Sequence, residues 1–101
     1  MNSIEISINN IGNNINVFID IINTKITINN KEKSITKEQI DDLIRIIRAW
    51  KSSYQNEKNL IDPESFLIKV NTFEGTDIIS GNGEYPENYS SFKKWIGDFY
   101  D

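Results

Sequence analysis

Isoleucines alternate with polar residues from the start of the chain: Ile4, Ile6 and Ile8 are separated by Glu5 and Ser7. A two-residue period is that of a strand buried on one face. Asn9-Asn10-Ile11-Gly12-Asn13-Asn14 then gathers residues that tolerate positive φ, which predicts a turn. Ile15, Val17, Ile19 and Ile21 make a second alternating face. Phe18 and Ile22 fall on its reverse side, which is therefore expected to be partly covered. After a break at Asn23-Thr24, Lys25 to Asn29 reads as a third strand pointing Ile26 and Ile28 inward. β-Branched residues suit this pleated surface, and the three strands read as an antiparallel meander. Asn29 to Ser34 reads as a polar connection.

The period then changes. Ile40, Leu43, Ile44, Ile47, Trp50 and Tyr54 follow the three-and-four spacing of one helical face, with Asp41, Asp42, Arg45, Arg48 and Ser52 opposite. The spacing predicts a helix over 36–54. Thr36 and Gln39 have the separation of a capping box, and Ile35 and Ile40 that of a hydrophobic staple. Pro63 bars any helix from running past it, and Leu60 and Ile61 are expected to tuck under the sheet. Ser65 to Phe73 returns to strand period with Phe66, Ile68 and Val70 on one face. Glu74-Gly75 marks a tight turn, and Thr76 to Ser80 runs back until Gly81-Asn82-Gly83. Last, Tyr89, Phe92, Trp95, Ile96 and Phe99 share a helical face over 89–100. Asn88 is placed to cap that helix, or Pro86 to begin it, and Gly97 predicts fraying beyond it.

These elements predict one α+β domain over residues 1–101. The expected sheet is five-stranded and mostly antiparallel, in the chain order βββαββα, with two helices packed on one face. At 101 residues the chain holds one core but little room for a deep substrate cleft.

Composition removes more functions than it suggests. Cysteine and histidine are both absent. Disulfides, thiolate and histidine nucleophile systems and the usual zinc sites go with them. The abundance of Ile and Asn beside the lone Ala49 fits nucleotide bias; the regular isoleucines argue against a prion-like tract. The formal net charge of −4 disfavours general nucleic-acid binding. That charge is uneven, because residues 59–101 carry eight acidic and three basic groups. No basic stretch leads into a long apolar run, so neither a secretion signal nor a membrane span is expected, and a cytoplasmic location is. Asn88-Tyr89-Ser90 matches the glycosylation pattern by chance on this reading.

The remaining candidate chemistry is thin. Asp41 and Asp42 are adjacent on a helix and do not converge, which argues against a catalytic pair. Gly81-Asn82-Gly83 before a helix suggests a phosphate cradle, but Pro86 stands where a third glycine belongs and Glu84 and Glu87 would repel an anion. Asn82, Glu84, Glu87 and Asn88 lack the alternating loop of a calcium site. No metal, cofactor or catalytic residue is therefore expected. The aromatic residues of the last stretch are more informative. Tyr85 and Tyr100 fall off the core stripe and are interleaved with Glu84, Glu87, Asp98 and Asp101, as anchors of an interface would be. These six residues are the expected contact surface of a small acidic, non-enzymatic protein-binding module. Its partner would be a protein with a basic surface, as for an inhibitor, immunity or antidefence protein. The alternatives are a self-associating module that pairs through an edge strand such as Ile4–Ile8, forming a homodimer, and a carboxylate enzyme built on Glu84, Glu87 and a tyrosine.

Overall fold

The computed structural model describes residues 1–10, 12–55 and 64–100. The isoleucine alternation becomes β1 (Ser3–Asn10) and β2 (Asn13–Asp20), joined around Gly12 at φ +73°. β3 (Lys25–Ile28) follows, then β4 (Lys31–Ser34), α1 (Lys37–Ile47) and β5 (Ser53–Gln55). β6 (Ser65–Thr72), β7 (Gly75–Asn82) and α2 (Tyr89–Gly97) complete the order. Among the described residues the seven strands form one sheet in the order β4-β3-β2-β1-β6-β7-β5. Neighbours are antiparallel except β5, which runs parallel to β7.

The α+β class stands, but the expected five-stranded, mostly antiparallel sheet is corrected to a mixed seven-stranded one. Both added strands lack the apolar alternation by which strands are read. β4 is Lys-Glu-Lys-Ser, and it forms because Asn29 and Asn30 adopt φ of +46° and +73°. Two consecutive left-handed residues make the hairpin turn whose twist matches paired strands. β5 lies inside the stretch read as helix. α1 stops at Ile47, and Trp50 leaves it to meet Phe66 at 5.8 Å and Phe92 at 5.1 Å between ring centres. Tyr54 continues as strand, with its hydroxyl accepting from Lys51 N at 2.8 Å. β1 is a further correction. Paired with β2 on one side and β6 on the other, Ile4–Ile8 is interior and not an edge.

Register explains the core. Ile28, Val17, Ile6, Ile68 and Ile79 form one row across the sheet; Ile26, Ile19, Ile4, Val70 and Asp77 form the next. Against these rows pack Ile40, Leu43 and Ile47 of α1 and Phe92, Trp95 and Ile96 of α2, so both helices cover one face. The reverse face is open: Phe18, expected to be partly covered, is 44% exposed. Gly81 belongs to the helix-facing side, where a Cβ would overlap Cε1 and Cζ of the buried Phe66 ring. Its hydrogen side chain lets β7 approach that ring.

The start of α1 is as its sequence predicts. Thr36 Oγ1 accepts from Gln39 N at 3.1 Å, and Gln39 Oε1 accepts from Thr36 N at 2.9 Å. Ile35 and Ile40 are both buried. α2 differs, because Asn88 gives it no side-chain cap. Instead Asn88 Oδ1 accepts from Trp50 Nε1 at 2.6 Å and its Nδ2 donates to Ile46 O at 2.9 Å, tying α2 to the end of α1. The expected positions of Leu60 and Ile61 lie outside the described residues. No helix among the described residues is long and apolar enough to cross a membrane.

Candidate functional site

The six residues expected to form an acidic contact surface fall into separate places. Glu84, Tyr85 and Glu87 precede α2, whereas Asp98 and Tyr100 follow it. Nine helical residues, about 13 Å of rise, separate the two groups. Glu84, Glu87 and Asp98 are exposed. Glu87 borders a hollow shared with Arg45, Trp50 and Tyr54, and Asp98 one shared with Arg45, Lys94 and Trp95. Tyr100 has lysines beside it: it lines a cleft of about 170 Å³ with Lys31 and Lys33. Its hydroxyl accepts from Asn29 Nδ2 at 2.7 Å. Asp101 lies outside the described residues. No group of three acidic side chains is gathered for a metal ion among the described residues.

Tyr85 is half-buried in a polar knot that sequence reasoning missed. Its hydroxyl donates to Glu64 O at 2.6 Å, and its ring stacks on Tyr89 at 4.6 Å. The Glu64 carboxylate accepts from Tyr89 Oη at 2.6 Å, Lys93 Nζ at 2.8 Å and Asn10 Nδ2 at 3.1 Å. Burial pushes this carboxyl up, but the bonds from Lys93, Tyr89 and Asn10 outweigh it and hold Glu64 below its ordinary value. The Tyr89 phenol is driven well above its own by burial and by the bonded carboxylate. Among the described residues no buried side-chain polar atom lacks a partner, so the chemistry of the knot is that of a clamp. It ties the start of β6 to α2 and to the end of β1. A glutamate beside Pro63 in a polar stretch gives no periodic signal of this role.

A different region presents unsatisfied capacity. Along β7, β5 pairs with Ser80–Asn82, and Gln55 also bridges Gly83, so the outer edge of β7 from Gly75 to Ile79 has no strand beside it among the described residues. Above this open half lies α1, and between them is a groove of about 600 Å³. Ile44, Ile47, Val70, Ile79 and Met1 supply its apolar lining. Asp41 and Arg45 of α1, Arg48 at its C-terminal cap and Asp77 of β7 line the same groove. Arg45 is engaged by Asp42 at 3.1 Å. Clefts of this size, mostly apolar with a few charged groups, are where ligands and peptide segments dock.

Two apolar side chains outside the groove are also exposed: Phe73, at the β6–β7 turn, by 91%, and Ile78, on the opposite face of β7, by 50%. The sequence does carry one signal for this site. Asp77 interrupts a row of helix-facing aliphatics, and a charge pointing inward marks an edge that the core does not cover. Comparison with family models, with curated proteins and with solved structures finds no match to this chain.

Proposed function

We propose that this chain is a small protein-binding module, without catalytic chemistry of its own, that docks a partner in the groove between α1 and the open half of β7. The observation that carries the reading is the coincidence of an apolar cleft with an uncovered strand edge, on a strand that also exposes Ile78 on its other face and follows the exposed Phe73. Exposed aromatic and aliphatic anchors beside a few charges are the anatomy of a contact surface. The acidic balance of residues 59–101 favours a partner with a basic surface, as for an inhibitor or immunity-type protein. Tyr85, spent on the Glu64 clamp, is less suited to anchoring a partner than Phe73 or Ile78.

The test is affinity capture from the native host with variants at two surfaces. Arg48 and Asp77 are exposed, so Arg48→Glu with Asp77→Lys should leave the thermal midpoint unchanged and abolish capture of a specific partner. Glu84→Lys with Glu87→Lys should slow association and flatten its salt dependence while leaving the complex intact. The opposite result, capture lost on changing Glu84 and Glu87 but kept on changing the groove, would move the site to the start of α2.

A further inference from the structure

The free main-chain groups along the groove say how it is filled. Ser80 N donates to Ser52 O at 3.0 Å, so even-numbered residues of β7 face the β5 side. Thr72 opposite Gly75 closes a two-residue hairpin, so odd-numbered residues bond to β6. The N–H and C=O of Thr76 and Ile78 therefore point outward, in line with β5 but beyond its reach. Four such groups in an extended row are a template for another strand. The opposite edge of the sheet is β4, whose Lys-Glu-Lys-Ser sequence guards it with charge.

Side chains restrict what can pair there. Asp77 and Ile79 stand on the helix-facing side, and the helix-facing side chains of an added strand would lie beside them and against Ile44. A second copy of this chain is disfavoured. With Thr76 opposite Ile78 of the copy, the two Asp77 carboxylates would face each other in a partly desolvated groove, which like charges resist. With Thr76 opposite Thr76, Ile78 would meet Glu74; with Ile78 opposite Ile78, Thr76 would meet Ser80, which β5 already occupies.

We infer, on the reading that the groove docks a protein, that an extended segment of a different protein adds as a strand along Gly75–Ile79, placing a basic residue beside Asp77 and an apolar residue two positions away over Ile79. Main-chain bonds to Thr76 and Ile78 hold the segment, and the two side chains select it.

The experiment uses nuclear magnetic resonance of the labelled full chain with two synthetic probes at millimolar concentration. One is a threonine heptapeptide carrying lysine and valine two positions apart; the other has glutamate in place of the lysine. The expected result is intermolecular contacts at the Thr76 and Ile78 amides, with the lysine probe bound about tenfold more tightly. Asp77→Lys should reverse that order. The inference is overturned if neither probe reaches those amides or if the contacts fall on the open sheet face around Phe18. It is equally overturned if raising the protein concentration alone protects the two amides, since the occupant is then a second copy. Partner capture that depends on Arg48 and Asp77, with the Thr76 and Ile78 amides still open to exchange in the captured complex, would overturn strand addition and leave the proposed function standing.

Discussion

Leu43→Ala is expected to lower the unfolding free energy by about 2–5 kcal/mol. Leu43 is 0% exposed at the centre of the contact between α1 and the sheet, in the same core cluster as Ile4, Ile68 and Phe92. Truncation removes buried methyl groups and leaves a cavity that rigid strands beneath and α2 beside it cannot collapse into. Two residues along the same helix, Arg45 is exposed and bonded only to Asp42, so Arg45→Ala should fall within about 0.5 kcal/mol of the parent chain. Denaturant titration of both variants decides it. Equal effects would mean that α1 does not present this face to the core.

Glu64→Ala is expected to cost about 2–3 kcal/mol, since it strips the half-buried Tyr89 hydroxyl of its acceptor and Lys93 of its ion pair. The milder Glu64→Gln separates charge from shape. The Glu64 carboxyl titrates below its ordinary value of 4.5 in the fold, so its charge-dependent stabilisation is complete above that pH. As pH falls through the folded-state value, the stabilisation is lost. The parent chain should therefore lose stability below about pH 4.5 more steeply than Glu64→Gln, the two curves drawing together in acid. On the alkaline side the sign is opposite in pH. Above 10.0 the unfolded chain ionises the Tyr89 phenol while the fold keeps its proton, so stability falls as pH rises. Melting curves from pH 3 to pH 6 check the acid limb; parallel curves would mean that Glu64 is not held by Lys93 and Tyr89.

The readable parts of this fold were those in which one face is apolar. β1, β2, β3 and β6 announce themselves through alternate Ile, Val and Phe, and α1 through Ile40, Leu43 and Ile47 behind a Thr36 cap. The illegible parts were polar. β4 exists because of two left-handed asparagines rather than any apolar residue, and β5 because Trp50 turns aside to reach Phe66. Trp50 and Tyr54 satisfy helical spacing, and the aromatic cluster around Phe66 takes both of them out of the helix. The candidate site is hidden for the same reason. Tyr85 looks like a free aromatic among carboxylates in one dimension, yet Glu64, twenty-one positions earlier, accepts its hydroxyl. The groove depends on where β5 stops, which no local pattern encodes; Asp77 on an aliphatic row is its lone trace in the sequence.

Site-specific photocrosslinking in the native host tests the groove most directly. A benzophenone side chain at position 79 lies in the groove, one at position 7 on the open sheet face, and one at position 84 before α2. The expected result is a discrete crosslinked partner from position 79, none from position 7, and a product from position 84 weaker than that from 79. A partner captured from position 84 or position 7, with nothing at 79 while all three variants melt as the parent does, would contradict docking in the groove.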